Sequence, residues 1–210
     1  MKKVYLVRHG ETTYNQQELV QDGETQLTEQ GQKQALRVAE RLQQLDFAHL
    51  VVSDYRRTKQ TAEPVIKSTG LEPVYSDLFR EVRRPSEFFH TSRHTEEYQS
   101  FMKAERENFA ANPNWHFSDE ENFVDASNRA QKAFSFLLEL EGDVAVITHG
   151  HFMRHMAAQI VSGFTLDGPL WQKMNSAFLA SNTGIAVLEY FEDTAHWRIV
   201  TWNDHAHFAE

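Results

Sequence analysis

The chain opens on Val4-Tyr5-Leu6-Val7-Arg8-His9-Gly10-Glu11-Thr12, and Asn15 follows shortly after. The four apolar residues read as a buried strand. Arg8, His9 and Gly10 then sit at its end, and in an α/β protein the strand end is where ligands bind. An imidazole beside a permanent cation suits attack on a phosphate. The ring attacks, the guanidinium neutralises the oxygens, and the glycine lets the backbone come close. Alone, a histidine after a strand fits a structural role as well.

Two further segments repeat the pattern. Val51-Val52-Ser53-Asp54-Tyr55-Arg56-Arg57-Thr58-Lys59-Gln60-Thr61-Ala62 and Val144-Ala145-Val146-Ile147-Thr148-His149-Gly150-His151 each place a strand first and a basic residue at or beyond its end. Three such strands present Arg8, His9, Arg57 and His149 along one sheet edge. Four cationic or imidazole groups repel one another when alone and are matched by a dianion.

Between these motifs, strand and helix signals alternate. Thr28 is placed to cap a helix carrying Ala35, Leu36, Ala39, Leu42 and Leu45 at helical spacing. Gln16 to Gln26 reads as a loop. Thr58 to Thr69 reads as a helix stopped by Gly70, and Glu72 to Ser76 as a short strand. Phe123 to Leu140 is amphipathic, and a helix over Phe152 to Val161 follows the His149 strand. Ile185–Tyr190 and Trp197–Trp202 read as a closing strand pair. This order predicts a three-layer α/β sandwich with a mainly parallel sheet flanked by helices. Residues 82–124 break the alternation. They hold Phe88, Phe89, Tyr98, Phe101, Phe109, Trp115 and Phe117 among charges and prolines, and predict a helical cap inserted into a single domain of residues 1–210.

The 210 residues suffice for one well-packed domain. Net charge is −9, which argues against a broad nucleic-acid-binding face. A local cationic cluster still binds phosphate in an acidic protein. With no cysteine, disulfides, thiolate catalysis and cysteine–zinc sites are excluded. The short apolar run after Lys2-Lys3 is no signal peptide, and no segment approaches a membrane span, so no membrane partner and a cytoplasmic location are expected. Trp171, Trp197 and Trp202 fit a homodimer face or a core equally well.

Taken together, Arg8-His9-Gly10-Glu11-Thr12, Arg57 with Gln60-Thr61-Ala62, and His149-Gly150 resemble the histidine phosphatase superfamily, and more closely its phosphoglycerate-mutase-like branch. The resemblance runs from Val4 to about Asn182. Leu27-Thr28 with Gly31 and Gln34-Ala35 is similar to the family's first helix. Leu78-Phe79-Arg80-Glu81 is similar to the segment carrying its acidic proton donor.

The resemblance implies phosphoryl transfer through a phosphohistidine on His9. Arg8, Arg57 and His149 bind the equatorial oxygens. Asn15 adds a neutral donor, Gly150 lies at the phosphate, and Glu81 protonates the leaving oxygen and then activates water. For His9 to attack, one ring nitrogen must be free and the other pinned, most simply by a backbone carbonyl. Beside phosphate and away from water, Glu81 would hold its proton to higher pH. The arginines supply the charge that a metal supplies elsewhere, so no cofactor is required. The expected ligand is a small phosphorylated metabolite or inorganic phosphate.

The resemblance departs at two places. Val82-Arg83-Arg84-Pro85-Ser86-Glu87-Phe88 replaces a glycine-containing element, and Gln21–Gln26 lacks the family's Asp-x-Pro pattern. Arg83 and Arg84 are either ligands for a second phosphate or carboxylate, or solvated surface charges. A phosphatase is the leading reading and a phosphoglycerate mutase the alternative. A non-catalytic phosphate sensor is a third. A fourth is a metal hydrolase built on His149, His151 and His155. His90 and His94 are expected to be exposed, and His205 and His207 to lie at the surface or to pack at the terminus.

Overall fold

The computed structural model describes residues 1–208. Six strands form one sheet: β1 (Lys2–Arg8), β2 (His49–Ser53), β3 (Pro73–Ser76), β4 (Val144–Thr148), β5 (Ile185–Phe191) and β6 (His196–Asp204). Their order is β3-β2-β4-β1-β5-β6. The first four run parallel, and β5 and β6 are antiparallel. The register Val4↔Val144 to Arg8↔Thr148 brings the ends of β1 and β4 level.

Alternation along β1 explains the layers. Val4 and Leu6 enter one core cluster, and Tyr5 and Val7 enter the other. Side chains of successive strand residues point to opposite faces, so a strand apolar on both must be covered on both. Helices α2 (Glu29–Leu42) and α3 (Arg56–Thr69) cover the Tyr5–Val7 face. Helices α5 (Phe123–Glu139) and α6 (Gly150–Val161) cover the Val4–Leu6 face. The predicted three-layer sandwich is the observed one.

Local signals act as read. The Thr28 hydroxyl accepts from the Gly31 N–H and starts α2. Gly70 takes φ 72° and ends α3, a conformation glycine adopts without steric cost. Asn122 and Asp125 form a capping box at the start of α5.

The structure also corrects the sequence reading. Helix α3 begins at Arg56 rather than Thr58, and α6 at Gly150 rather than Phe152. A single helical turn, α1 (Thr13–Gln16), and a full helix, α7 (Gly168–Ala177), were not anticipated. In 82–124 the α-helical content is α4 (Glu96–Ala111) and the first residues of α5, with 3-10 turn and loop elsewhere. Val20, Phe88, Tyr98 and Phe101 form a small core there, joined by Phe89, Met102 and Trp115. Trp171 and Trp197 are buried, and Trp202 packs against the main core. His90 and His94 are exposed as expected, and His207 approaches the Thr183 hydroxyl. Among the described residues no helix is long and apolar enough to cross a membrane.

Candidate active site

The sheet edge predicted from the three motifs is the floor of a cavity of about 500 Å³. Arg8, His9, Asn15, Arg57, Glu81 and Gly150 all line it. His149 lies just beneath, its ring 5.2 Å from that of His9.

His9 is fixed at every polar atom but one. Its N–H donates to Thr148 O at 2.9 Å, and its carbonyl accepts from Asn182 Nδ2 at 2.9 Å. Its Nδ1 donates to the Gly10 carbonyl at 2.7 Å. A neutral imidazole carries one proton, so Nε2 keeps its lone pair. Burial, then the charges of Arg57 and Arg8, hold His9 well below the usual imidazole range. The ring is neutral at ordinary pH, with the Nε2 lone pair free.

Gly10 does something other than approach phosphate. Its N–H is taken by Thr61 Oγ1 at 3.0 Å. A Cβ on Gly10 would lie 2.5 Å from Gly31 O, and one on Gly31 only 2.0 Å from Glu11 O. The two glycines let the His9 loop pack directly on α2.

The cations are anchored through one nitrogen each. Arg8 Nη1 donates to Ala180 O and Arg57 Nη1 to Asp22 O, both at 2.6 Å. Nε of each is buried with no protein partner, and so is His149 Nδ1. Burial lowers both guanidinium groups to about 10, so both stay charged at neutral pH. Three buried nitrogens with no protein partner gathered around His9 make an arrangement suited to an anion. A Cβ on Gly150 would lie 3.2 Å from Arg8 Cδ and Nε, so Gly150 lets the Arg8 side chain pass close to the start of α6.

His149 Nε2 is held by the Ser53 hydroxyl at 2.8 Å. A hydroxyl proton directed to Nε2 leaves the ring proton on Nδ1, the unpartnered nitrogen. Burial, then Arg57 and His9, keep His149 neutral. Tyr55 packs edge-on to His149 at 5.3 Å and stacks on the Arg57 guanidinium at 4.9 Å.

Glu81 pairs with neither Arg80 nor Arg83. Arg80 makes a two-pronged pair with Asp54. Glu81 Oε1 accepts from the Val82 and Phe152 N–H groups, and Oε2 from the His151 N–H. The early start of α6 supplies two of these donors. Asn15 Oδ1 accepts from Thr12 N and Asn182 Nδ2, which leaves its amide N–H groups for the cavity.

The three histidines of the metal reading serve different partners. His149 bonds Ser53, His155 Nε2 bonds Ser127 Oγ at 2.9 Å, and His151 Nδ1 accepts from Arg84 at 3.1 Å. Among the described residues no three His, Asp or Glu side chains are grouped to hold a metal. Arg56 is exposed, whereas the neighbouring Arg57 is buried. Arg83 is exposed at the rim, whereas Arg84 is enclosed in the wall. Ser53, Tyr55, Arg93, Arg106 and Arg154 went unread as site residues. Ser53 and Tyr55 could have been found from their place at the end of β2. Arg93 and Arg106 carry no local signal, because the cap brings them in from a distance, whereas Arg154 could have been found one turn after Gly150 on α6.

With this geometry in hand, the whole chain can be compared with known proteins. Residues 4–205 match the histidine phosphatase superfamily (branch 1). The chain belongs to that superfamily. Probable phosphoglycerate mutase GpmB of Citrobacter koseri is 29% identical over 214 residues, covering 99% of this chain and 95% of that protein. The namesake from Cronobacter sakazakii is 40% identical over 83 residues, which span 39% of each chain. Among solved structures, a mycobacterial glucosyl-3-phosphoglycerate phosphatase superposes with TM-score 0.81 at 24% identity, covering 97% of this chain and 99% of its own. A phosphoserine phosphatase of Entamoeba histolytica with 3-phosphoglyceric acid gives TM-score 0.78 at 19% identity, covering 99% of both chains. These two superpositions establish the histidine phosphatase fold.

Proposed function

We propose that the chain is a metal-independent phosphatase that hydrolyses a small phosphomonoester through a phosphohistidine on His9. The observation that carries the reading is the free Nε2 of a buried, neutral His9 among buried donors with no protein acceptor. Membership of a histidine phosphatase superfamily and solved phosphatases of the same fold support the class.

The reaction runs in two steps. Nε2 attacks phosphorus, and the bond to the ester oxygen breaks as Glu81 gives that oxygen a proton. Water then attacks the phosphohistidine while Glu81 takes its proton back. The P–N bond breaks, and inorganic phosphate leaves with the imidazole restored. Arg8, Arg57, the His149 Nδ1–H and the Asn15 amide hold the oxygens through both transition states. Donors already fixed by Ala180, Asp22 and Ser53 need no reorganisation at the moment of reaction.

Phosphate release from a panel of phosphomonoesters, with chelator present, tests this. Release is expected in the parent chain and absent in His9→Ala. Release that persists in His9→Ala removes His9 as nucleophile. The second reading, a phosphoglycerate mutase, rests on the names of the relatives. It uses the same phosphohistidine but returns the phosphoryl group to substrate. Isomerisation of 3-phosphoglycerate with bisphosphoglycerate added would favour it, and no conversion above background would remove it.

A further inference from the structure

In the two steps above Glu81 moves the proton, yet the segment that carries it has no regular structure. After the short 3-10 turn Asp77–Phe79, residues 80–85 form neither helix nor strand. Backbone N–H and C=O groups in such a segment must find partners outside any helix or sheet ladder. On both flanks of Glu81 they find them at the start of α5.

Arg129, on α5, makes most of these contacts. Its Nη1 donates to Leu78 O at 2.8 Å and to Arg80 O at 2.9 Å. Its Nε and Nη2 donate to the two carboxylate oxygens of Glu121, each at 2.6 Å. The guanidinium lies 4.1 Å from the centre of the Phe152 ring, and the Phe152 N–H is one of the donors to Glu81. Glu121 holds the other flank. Its N–H donates to Arg83 O at 3.1 Å, and its Oε2 accepts from Arg83 N at 3.4 Å. Both side chains of the pair are largely enclosed. A planar guanidinium forked onto a carboxylate is rigid, and here its remaining nitrogen reaches two backbone carbonyls.

We propose that Arg129, paired with Glu121, is a positioning residue for Glu81, fixing the backbone on both sides of the acid so that its carboxyl meets the leaving oxygen. This rests on the phosphatase reading above, in which Glu81 protonates that oxygen. Arg129 lies outside the lining of the His9 cavity, so it acts through Glu81 rather than on substrate. The chemistry gives such a role a signature. A proton from Glu81 matters when the leaving oxygen would otherwise depart as an alkoxide, and little when it departs as a stable phenolate. Losing Arg129 is therefore selective by leaving group. A purely structural role would lack that selectivity. So would an effect through His149, which the Arg129 charge helps to keep neutral, because the phosphate oxygens are the same in every ester.

Kinetics on two esters, propyl phosphate and p-nitrophenyl phosphate, test this. kcat/KM covers the steps up to cleavage of the ester bond, so it reads protonation of the leaving oxygen and not the later attack by water. Arg129→Gln is expected to cut kcat/KM about tenfold or more for propyl phosphate and less than about threefold for p-nitrophenyl phosphate. Equal losses on both esters, or no loss on either, would overturn the proposal. Should Arg129→Gln not fold, Glu121→Gln is read on the same two esters, with the same selective loss expected and an equal or absent loss refuting it. Failure of the phosphatase reading shows differently, as no His9-dependent release from either ester. Then, or where only one ester turns over, amide hydrogen exchange decides. His151 and Phe152 open α6, so their N–H groups have no partner within the helix and donate to Glu81 instead. Their exchange is expected to quicken about fivefold or more in Arg129→Gln while the β1 and β4 amides stay as they were. Unchanged exchange at His151 and Phe152, or a rise along the whole chain, would contradict a role for Arg129 in holding Glu81.

Discussion

At the scale of single residues, the site works by leaving chosen atoms unbonded. His9 has one free nitrogen because Gly10 takes the other, and His149 has one because Ser53 takes the other. Ser53 is therefore a positioning residue. In Ser53→Ala the buried Nε2 of His149 loses its partner, which costs roughly 1–3 kcal/mol of stability. The imidazole is also freed to place its proton on the wrong nitrogen. A fall in kcat of about tenfold or more is expected with little change in KM, because the donor matters most as charge develops. Ser53→Thr, which keeps the hydroxyl, should recover part of the rate. An unchanged kcat in Ser53→Ala would show that Ser53 does not set the tautomer.

Much of this residue-level arrangement was legible in advance. His9, Arg8, Arg57, His149 and Glu81 each follow a strand or lie in a short motif, and short motifs survive as local patterns. The cavity brings all but His149 into its wall and sets His149 directly below. The cap arginines had no such pattern. Arg93 looks like any surface cation in sequence, Arg83 and Arg84 were left open between ligand and surface charge, and tertiary packing alone separates Arg84 in the wall from Arg83 at the rim.

At the scale of elements, the His9 loop and α2 meet through two glycines. Helix propensity alone predicts that Gly31→Ala stabilises α2 by about 1 kcal/mol. Packing predicts the opposite, since the new Cβ would lie 2.0 Å from the Glu11 carbonyl oxygen. The carbonyl is backbone and cannot swing aside, so overpacking should cost about 1–3 kcal/mol and shift the loop that carries His9. Thermal unfolding and kcat should both fall. A variant more stable than the parent would mean that the contact is not tight. Boundaries were the weakest part of the sequence reading for a related reason. Gly150 begins its helix at a residue already assigned to chemistry and Arg56 at the residue before one, so helix and motif overlap where the pattern was read as one or the other. Helix α7 starts at Gly168-Pro169, a pair that by itself signals a turn, and is capped there by Asp167.

At the scale of the whole molecule, four histidines are buried or enclosed in their neutral form. Burial comes first among the causes for His9, His149, His151 and His155, and His155 falls to about 3. In the unfolded chain each titrates near about 6.5. Below that pH the unfolded state binds more protons than the native one, so native stability is complete above it and is lost as pH falls. His155 alone contributes a loss of roughly 2 kcal/mol between pH 6.5 and 5. The urea midpoint should therefore drop steeply from pH 7 to pH 5, before most carboxylates titrate. A midpoint constant over that range would contradict the neutral, buried assignment of these rings.

The central claim is that His9 Nε2 takes the phosphoryl group. The direct measurement is to quench the enzyme during turnover of a phosphorus-labelled substrate and to locate the label by peptide mapping. The account predicts an acid-labile, base-stable phosphohistidine on the peptide containing His9, and no such label in His9→Ala. Turnover with no labelled histidine, or with the label on another residue, would contradict it.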